Sequence, residues 1–378
     1  MELKNIKKIL AVVLLCIIFL AGCTKTTDSE SLKKEVVPIE GFTNTEYNFE
    51  TDNQYYFSEY SGVVSVNEGY YINYGGFLYY LDKKNMGNHP VCSNPTCAHN
   101  TEDCDAYLGV AEFLQYYDGY LYYVMYDYSN MDSTLYRKSL DGSVVEKIGI
   151  LFRAQYTPDI TIHRGYAYFA WDSKNESTLY RIKLEKNAIR EKLFVYKEGF
   201  HQEIYRIKGY GDGVFFEASY YMNVDLNNSI FNLYYFDSNE NAIKLVKEDT
   251  GGDYAVAEGK LYYFKEGGVN QYDISSKKES LFYSIDEMVY VSYDGNYLYF
   301  DNNFDPLQQK NHKIYVVDIK GVLIDTIHLP EGLCYYGDRD YLFQSMTMGY
   351  QVLDKKLLGT GKQEWTKFTI YTYDMLDD

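Results

Sequence analysis

One phrase recurs seven times along this chain, and recurrence at a fixed spacing restricts a fold more tightly than any single motif. The phrase is an acidic residue or turn former, then glycine, then an aromatic-rich strand, then a second strand centred on Leu-Tyr or Ile-Tyr. It appears as Glu68-Gly69-Tyr70-Tyr71, Asp118-Gly119-Tyr120-Leu121-Tyr122-Tyr123, Arg164-Gly165-Tyr166-Ala167-Tyr168-Phe169, Asp212-Gly213-Val214-Phe215-Phe216, Glu258-Gly259-Lys260-Leu261-Tyr262-Tyr263 and Asp294-Gly295-Asn296-Tyr297-Leu298-Tyr299-Phe300. A degenerate seventh copy reads Arg339-Asp340-Tyr341-Leu342-Phe343. Glycines 69, 119, 165, 213, 259 and 295, followed by Asp340, are 50, 46, 48, 46, 36 and 45 residues apart. A period near 45 is that of a propeller blade.

Each copy supports this locally. Asp-Gly between apolar runs marks a hairpin, because glycine accepts positive φ and the tight turn matches strand twist. The partner strands are predicted at Leu78-Tyr79-Tyr80, Leu135-Tyr136-Arg137, Leu179-Tyr180-Arg181, Leu233-Tyr234-Tyr235, Gln271-Tyr272-Asp273, Ile314-Tyr315-Val316 and Ile370-Tyr371-Thr372. Fourth strands follow in several copies, such as Ser143 to Ile148 and Ala242 to Val246. The expected fold is all-β, a single propeller of seven four-stranded blades, with six or eight left open by the poor seventh turn. On this reading the chain ends after a strand from Phe368 to Tyr373, one strand short, and a strand within Tyr47 to Tyr60, including Tyr55-Tyr56-Phe57, completes the last blade.

Composition agrees: 45 tyrosines and 20 phenylalanines stand against two tryptophans and six prolines. Tyr79, Tyr122, Tyr136, Tyr180, Tyr234, Tyr262, Tyr299 and Tyr315 occupy equivalent repeat positions and are expected to fill the seams between blades. Tyr126, Tyr128, Tyr220 and Tyr221 lie off the repeat, in loops between second and third strands, and are the better candidates for ligand contact.

Residues 1–22 read as a secretory signal: Lys4, Lys7 and Lys8, a twelve-residue apolar run from Ile9 to Leu20, then Leu20-Ala21-Gly22-Cys23. The run is shorter than the roughly 20 residues a spanning helix needs. Leu20-Ala21-Gly22-Cys23 resembles a bacterial lipobox, which implies that Cys23 becomes the lipidated N-terminus and that the protein is held at the extracytoplasmic face of the cell membrane. Residues 23–38 are charged, lack aromatics and read as a flexible tether, leaving 39–378 for the propeller. Cleavage removes three lysines and one glutamate and so moves the formal charge from −18 to −20. That argues against nucleic acid and against an anionic lipid surface as partners, and favours a soluble monomer.

Lipobox, polar tether and repeats of the D-G-x-L-Y-Y and L-Y-R-x-D/S-L type together resemble the uncharacterised tyrosine-rich β-propeller lipoproteins of anaerobic Gram-positive bacteria, related in pattern to TolB-like and low-density-lipoprotein-receptor-type propellers. The resemblance covers residues 40–378 and implies the fold; it transfers no catalytic residue.

One stretch carries metal chemistry: Cys92, Cys97, His99 and Cys104, spaced Cys-x4-Cys-x-His-x4-Cys. Three thiols and an imidazole can close a tetrahedral zinc shell, with a turn at Asn94-Pro95 bringing the first two thiols together. The alternative is disulfides among Cys92, Cys97, Cys104 and Cys334, as an extracytoplasmic compartment permits, with a redox-active thiol as a lesser reading. His89 is an adjacent substitute ligand, whereas His163, His201, His312 and His328 are read as surface or strand residues. Asp301-Asn302-Asn303-Phe304-Asp305 is rich enough in oxygen to hold calcium, although such runs are more often hairpin tips. The chain has no Gly-x-Ser-x-Gly elbow, phosphate loop or His-Glu-x-x-His motif.

The expected function is therefore a non-enzymatic, lipid-anchored scaffold that binds a protein or carbohydrate ligand. A polysaccharide hydrolase or lyase with carboxylates in its loops is the alternative, and an assembly role a third.

Overall fold

A computed structural model describes residues 36–370 except 41, 43–45, 50, 53–62, 86, 110, 112, 154–158, 174–175, 224–227, 303–311, 330–334, 347–348 and 369. Cys23, Tyr55-Tyr56-Phe57, Cys334, Tyr371 and Thr372 lie outside the described residues, as do Asn303 to Asp305 of the calcium candidate.

Seven antiparallel sheets follow one another along the chain at residues 63–90, 114–152, 160–196, 200–247, 254–284, 290–328 and 335–368, hereafter blades 1 to 7. Each is built from four consecutive strands in sequence order, and the short helical turn Lys355–Leu357 is the helix among the described residues. Seven separate apolar cores hold the ring, and each joins one blade to the next. Blades 1 and 2 share Val64, Tyr71, Leu121 and Tyr123, and the series runs on to blades 7 and 1, which share Phe343, Tyr350, Tyr70 and Ile72.

The alternation of a strand explains why the repeat is so aromatic. In Lys260–Lys265, Leu261 and Tyr263 face blade 4 while Tyr262 faces blade 6. In Tyr120–Asp127, Leu121 and Tyr123 face blade 1 and Tyr122 and Val124 face blade 3. A strand buried on both faces has no place for polar alternation, so it reads as a continuous run. Each large side chain so buried contributes about 1.5–3 kcal/mol. Tyr79, Tyr122, Tyr180, Tyr234, Tyr262 and Tyr299 are buried in the seams, and Tyr136 and Tyr315 pack against them half-exposed. The turns are as the repeat requires: Asp118 and Gly119 have φ of 47° and 82°, and Glu258 and Gly259 have 49° and 72°. Gly213 serves differently, since a Cβ there would collide with the Phe236 carbonyl oxygen of the adjacent strand.

The last blade departs from expectation. Its third strand is Gly349–Asp354 and its fourth is Trp365–Phe368, so the predicted third strand at Ile370 falls after the blade is complete. Blade 7 therefore needs no N-terminal strand. Its third strand carries Tyr350-Gln351-Val352-Leu353 in place of the Leu-Tyr signature, which displaced the sequence reading by one strand.

The N-terminal segment goes elsewhere. Val36–Pro38, assigned above to the tether, forms a strand that pairs in parallel with Ala242–Lys247, the outer strand of blade 4, with Val36 opposite Ile243. Ile39 then enters the seam between blades 4 and 5, and Phe42 stacks on Tyr210 at 5.6 Å. Tyr47 packs edge-on against Tyr293 of blade 6 at 5.4 Å, Arg339 of blade 7 lies 5.1 Å over the Phe49 ring, and His163 of blade 3 meets the Thr51 carbonyl at 2.9 Å. Tyr47 also lies 6.3 Å from Tyr210 of blade 4, so residues 47–52 touch the inner turns of four blades.

Two seams carry a further fastening. The residue after the third strand is aliphatic in blades 2, 3 and 5 (Leu140, Leu184, Ile274) and polar in blades 4 and 6 (Ser238, Asp318), but lysine in blades 1 and 7. Lys355 is buried and bonds Asp294 of blade 6 and the Asp338 carbonyl; Lys83 pairs with Asp338 of blade 7 at 3.7 Å. The seams on either side of the last blade are thereby fixed by charge. Removing one member of a buried pair strands the other, which costs about 3–5 kcal/mol. Lys355→Ala should lower the unfolding free energy by about 3 kcal/mol in urea titration, whereas Lys320→Ala on an exposed turn should change it by less than about 0.5 kcal/mol.

Candidate functional site

The connection from blade 1 to blade 2 brings the four sequence-predicted metal ligands together. Its ends are fixed by packing: Val91 and Leu108 join the core between the two blades, and Tyr107 pairs with Phe77. Between them the chain turns on side-chain hydrogen bonds. Asn94 Oδ1 accepts from the Thr96 N–H at 3.0 Å and the Asn94 carbonyl accepts from the Cys97 N–H at 3.2 Å, giving the anticipated turn at Asn94-Pro95. Cys104 closes a second turn on the Thr101 carbonyl at 3.1 Å, and Asp105 holds the Ser93 N–H at 3.2 Å.

The ligand atoms of Cys92, Cys97, His99 and Cys104 all lie within 4.8 Å of one another. His99 Nδ1 is 3.4 Å from Cys104 Sγ. Backbone N–H groups of His99 and Ala106 donate to the sulfurs of Cys97 and Cys104 at 3.3 and 3.4 Å. The three cysteines are unbridged, and His89 is not part of the group: it lies against Tyr80 in the outer strand. Burial and the neighbouring thiols push Cys104 up to about 12, whereas Cys92 is held below its ordinary value, where backbone hydrogen bonds at Asn94 and Asp105 outweigh its burial. Three thiolates cannot share so small a volume without a cation, and sulfur donors of this kind suit zinc; tetrahedral sulfurs would sit about 3.8 Å apart, a modest contraction from the observed spread. The cluster could hold a metal such as zinc, and its N–H···S bonds are the outer support such sites use.

The remaining predicted histidines divide. His201 and His328 are exposed strand residues. His163 is fully buried in the inner strand Ile160–His163, between the carbonyls of Thr51 and Gly211, and His312 is buried 2.7 Å from Asp301.

A second constellation escaped sequence reading. The inner strand of blade 4, Phe200–Tyr210, bulges at Arg206, which has φ of 51°. Its guanidinium bonds Glu217 at 2.7 Å and lies 3.6 Å from Asp253, while Lys208 bonds Asp253 at 2.8 Å and the Tyr254 carbonyl. Tyr254 donates to the Arg206 carbonyl at 2.7 Å, and Asp159 accepts the Ile207 N–H at 3.0 Å. These bonds tie the inner strands of blades 4 and 5 to each other and to the entry of blade 3. Glu217, alone among aromatics in Val214-Phe215-Phe216-Glu217-Ala218, was the available signal, since a carboxylate in a doubly buried strand needs a partner.

Burial pushes Glu217 up to about 7 despite Arg206. Folded Glu217 thus holds its proton at a pH where the unfolded residue, near 4.5, has released it. Its stabilising share is present in full below that lower value and is lost as pH rises towards 7. Glu217→Gln should flatten the decline in stability between these two pH values, measured by urea unfolding at each pH.

No protein-family model and no curated protein matches this chain. Solved structures do resemble it. The β-propeller domain of the Trilobed protease from Pyrococcus furiosus, described as having an open velcro topology, aligns with TM-score 0.52 at 9% identity over 84% of this chain and 100% of that one. Acylaminoacyl peptidase of Pyrococcus horikoshii gives 0.52 at 9% identity over 88% of this chain and 55% of its own. TolB from Acinetobacter baumannii gives 0.39 at 12% identity over 72% and 62%. The chain therefore spans less than two thirds of TolB and about half of the peptidase. At these identities the likeness shows the fold alone: a β-propeller.

The metal reading has a direct check. Untagged protein should carry one zinc per chain by elemental analysis and lose it in Cys97→Ser. Its thiols should resist a thiol reagent until a chelator is added, and acid should release the metal as the thiolates protonate.

Proposed function

We propose that this protein is a lipid-anchored, extracytoplasmic propeller scaffold that binds a protein or carbohydrate ligand on one face of its ring without transforming it. The observation that carries this reading is the make-up of the face bearing the blade-to-blade connections and the second-to-third-strand turns. Tyr128 is 70% exposed there and meets Tyr126 edge-on at 4.8 Å. Met131 and Met222 are 59% and 60% exposed in such turns, Met288 is exposed in a connection, and Phe200 is exposed where the inner strand of blade 4 begins. Tyrosine and methionine are enriched where surfaces bind, because they offer large contact area and adaptable shape. Tyr126 and Tyr128 were anticipated; the methionines were not. Tyr220 and Tyr221 are half-buried at a strand end, so they contribute less area.

Cys23 supplies the lipid and residues 24–35 the tether. Cys92, Cys97, His99 and Cys104 hold a structural zinc that stiffens the one long connection on the binding face. Disulfides among these cysteines and Cys334 are the alternative, and they predict neither metal nor free thiol.

One observation favours a catalytic reading. Asp172 is half-buried and Glu203 is an exposed residue of the neighbouring inner strand; desolvation raises both, and Asp172 raises Glu203 further. A carboxyl raised by the charge of a second one beside it is the arrangement from which a general acid in polysaccharide cleavage is built.

Peptide and glycan arrays probed with the intact protein separate the two. Under the scaffold reading Tyr128→Ala with Met131→Ala lowers capture at least about tenfold, the loss of one contact hot spot, and no product is released from polysaccharide. Turnover that stops in Glu203→Gln would replace the scaffold with the enzyme.

A further inference from the structure

The two faces of the ring expose different kinds of apolar side chain. In every blade the first-to-second and third-to-fourth turns lie on one face, opposite the connections just described. The contacts from Lys355 to Asp294 and from Lys83 to Asp338 join these two classes of turn between neighbouring blades. On the connection face the exposed large apolar groups are methionine, tyrosine and phenylalanine. Every exposed valine, isoleucine and leucine among the described residues lies at the start of an outer strand, at the rim of the other face. Ile189 of blade 3 is 68% exposed, Leu281 of blade 5 is 56%, and Val322 and Leu323 of blade 6 are 55% and 43%. At blade 4 the position is taken by Val36 and Val37 of the added strand, at 38% and 39%.

Lysines sit among them. Lys186, Lys277, Lys278 and Lys320 are exposed in the same turns of blades 3, 5 and 6, and no ion pair engages them among the described residues. Three glutamates of this arc are ion-paired, Glu185 by Lys183, Glu240 by Lys244 at 2.8 Å and Glu279 by Lys247 at 3.0 Å, while Asp273 and Asp318 accept backbone N–H groups of their own turns. A strongly acidic chain thus presents free cations beside aliphatic tips on one arc. The exposed acidic turn residues Glu68, Asp118, Glu258 and Asp340 belong to the inner turns, away from that arc.

We propose that the rim of blades 3–6 on this face rests on an anionic lipid bilayer, with aliphatic tips entering the headgroup layer and lysines meeting lipid phosphate. The occupant follows from where the chain leads. Val36 lies on this arc, and the chain before it reaches Cys23 within thirteen residues, a span of at most about 45 Å. The proposal rests on the reading of Cys23 as the lipid anchor for the bilayer's proximity; the contact itself is made by the rim. It fixes the orientation of the scaffold: the tyrosine and methionine face points away from the membrane.

The test uses the full chain in vesicles of equimolar phosphatidylglycerol and phosphatidylcholine, read by amide hydrogen exchange against the same chain in detergent. Residues 184–190, 276–282 and 318–323 should exchange at least about fivefold more slowly on vesicles, the equivalent of one lysine contact, while residues 126–132 are unchanged. Replacing Leu281, Val322 and Leu323 by serine should restore fast exchange although the chain still floats with the vesicles. Equal exchange at rim and opposite face in a chain that floats overturns the proposal, as does protection confined to the opposite face. Cys23→Ser distinguishes the two readings. If the anchor reading holds, this variant loses salt-resistant flotation. If flotation is unaltered, the anchor reading fails, and the rim is supported only if charge reversal at Lys277, Lys278 and Lys320 then abolishes binding.

Discussion

Every blade of this ring is apolar on both sides, and that single constraint governs the rest. A sheet with two buried faces cannot stand alone in water, and each of the seven cores exists only when two blades supply its halves. The blades are therefore not independent modules placed side by side. Rings that lack one member leave two such surfaces open, and the stabilisation of burial is realised only on closure.

Among the described residues, closure is achieved without exchanging a strand between the ends of the chain. Tyr70 meets Phe343 at 4.5 Å across the final seam, and the Lys83 and Lys355 ammonium groups reach back to the preceding blades. At those two positions lysine stands where blades 2, 3 and 5 carry an aliphatic residue. Apolar contact alone is non-directional and tolerates sliding, whereas an ammonium satisfied by a carboxylate and a carbonyl admits one register. Fixing the register matters most where the first and last blades meet, since no connecting chain sets it there.

The ring was legible in sequence because its glycine turns and doubly buried tyrosines repeat, and repetition makes weak local signals add. The Cys92, Cys97, His99 and Cys104 cluster was legible because thiols and imidazole are rare and lie within thirteen residues. What failed shares a physical cause. Tyr350-Gln351-Val352-Leu353 performs the task of Leu-Tyr with different letters, since a seam asks for volume and not for a particular residue. The route of residues 36–52 depends on grooves supplied by blades 3, 4, 6 and 7, all remote in sequence from that segment. The Arg206, Glu217 and Asp253 group is likewise assembled across seams, from residues that look individually like solvated charges.

The path of the N-terminal segment has a mechanical consequence. A load on the chain ahead of Val36 meets first the parallel pairing with the edge of blade 4, then Ile39 and Phe42 wedged in a seam, then the contacts of Tyr47, Phe49 and Thr51 with blades 6, 7 and 3. Only beyond these does the chain enter blade 1. Tension is thus divided among several members before it can peel the first strand from its sheet, much as a mooring line is led around several posts before it is made fast.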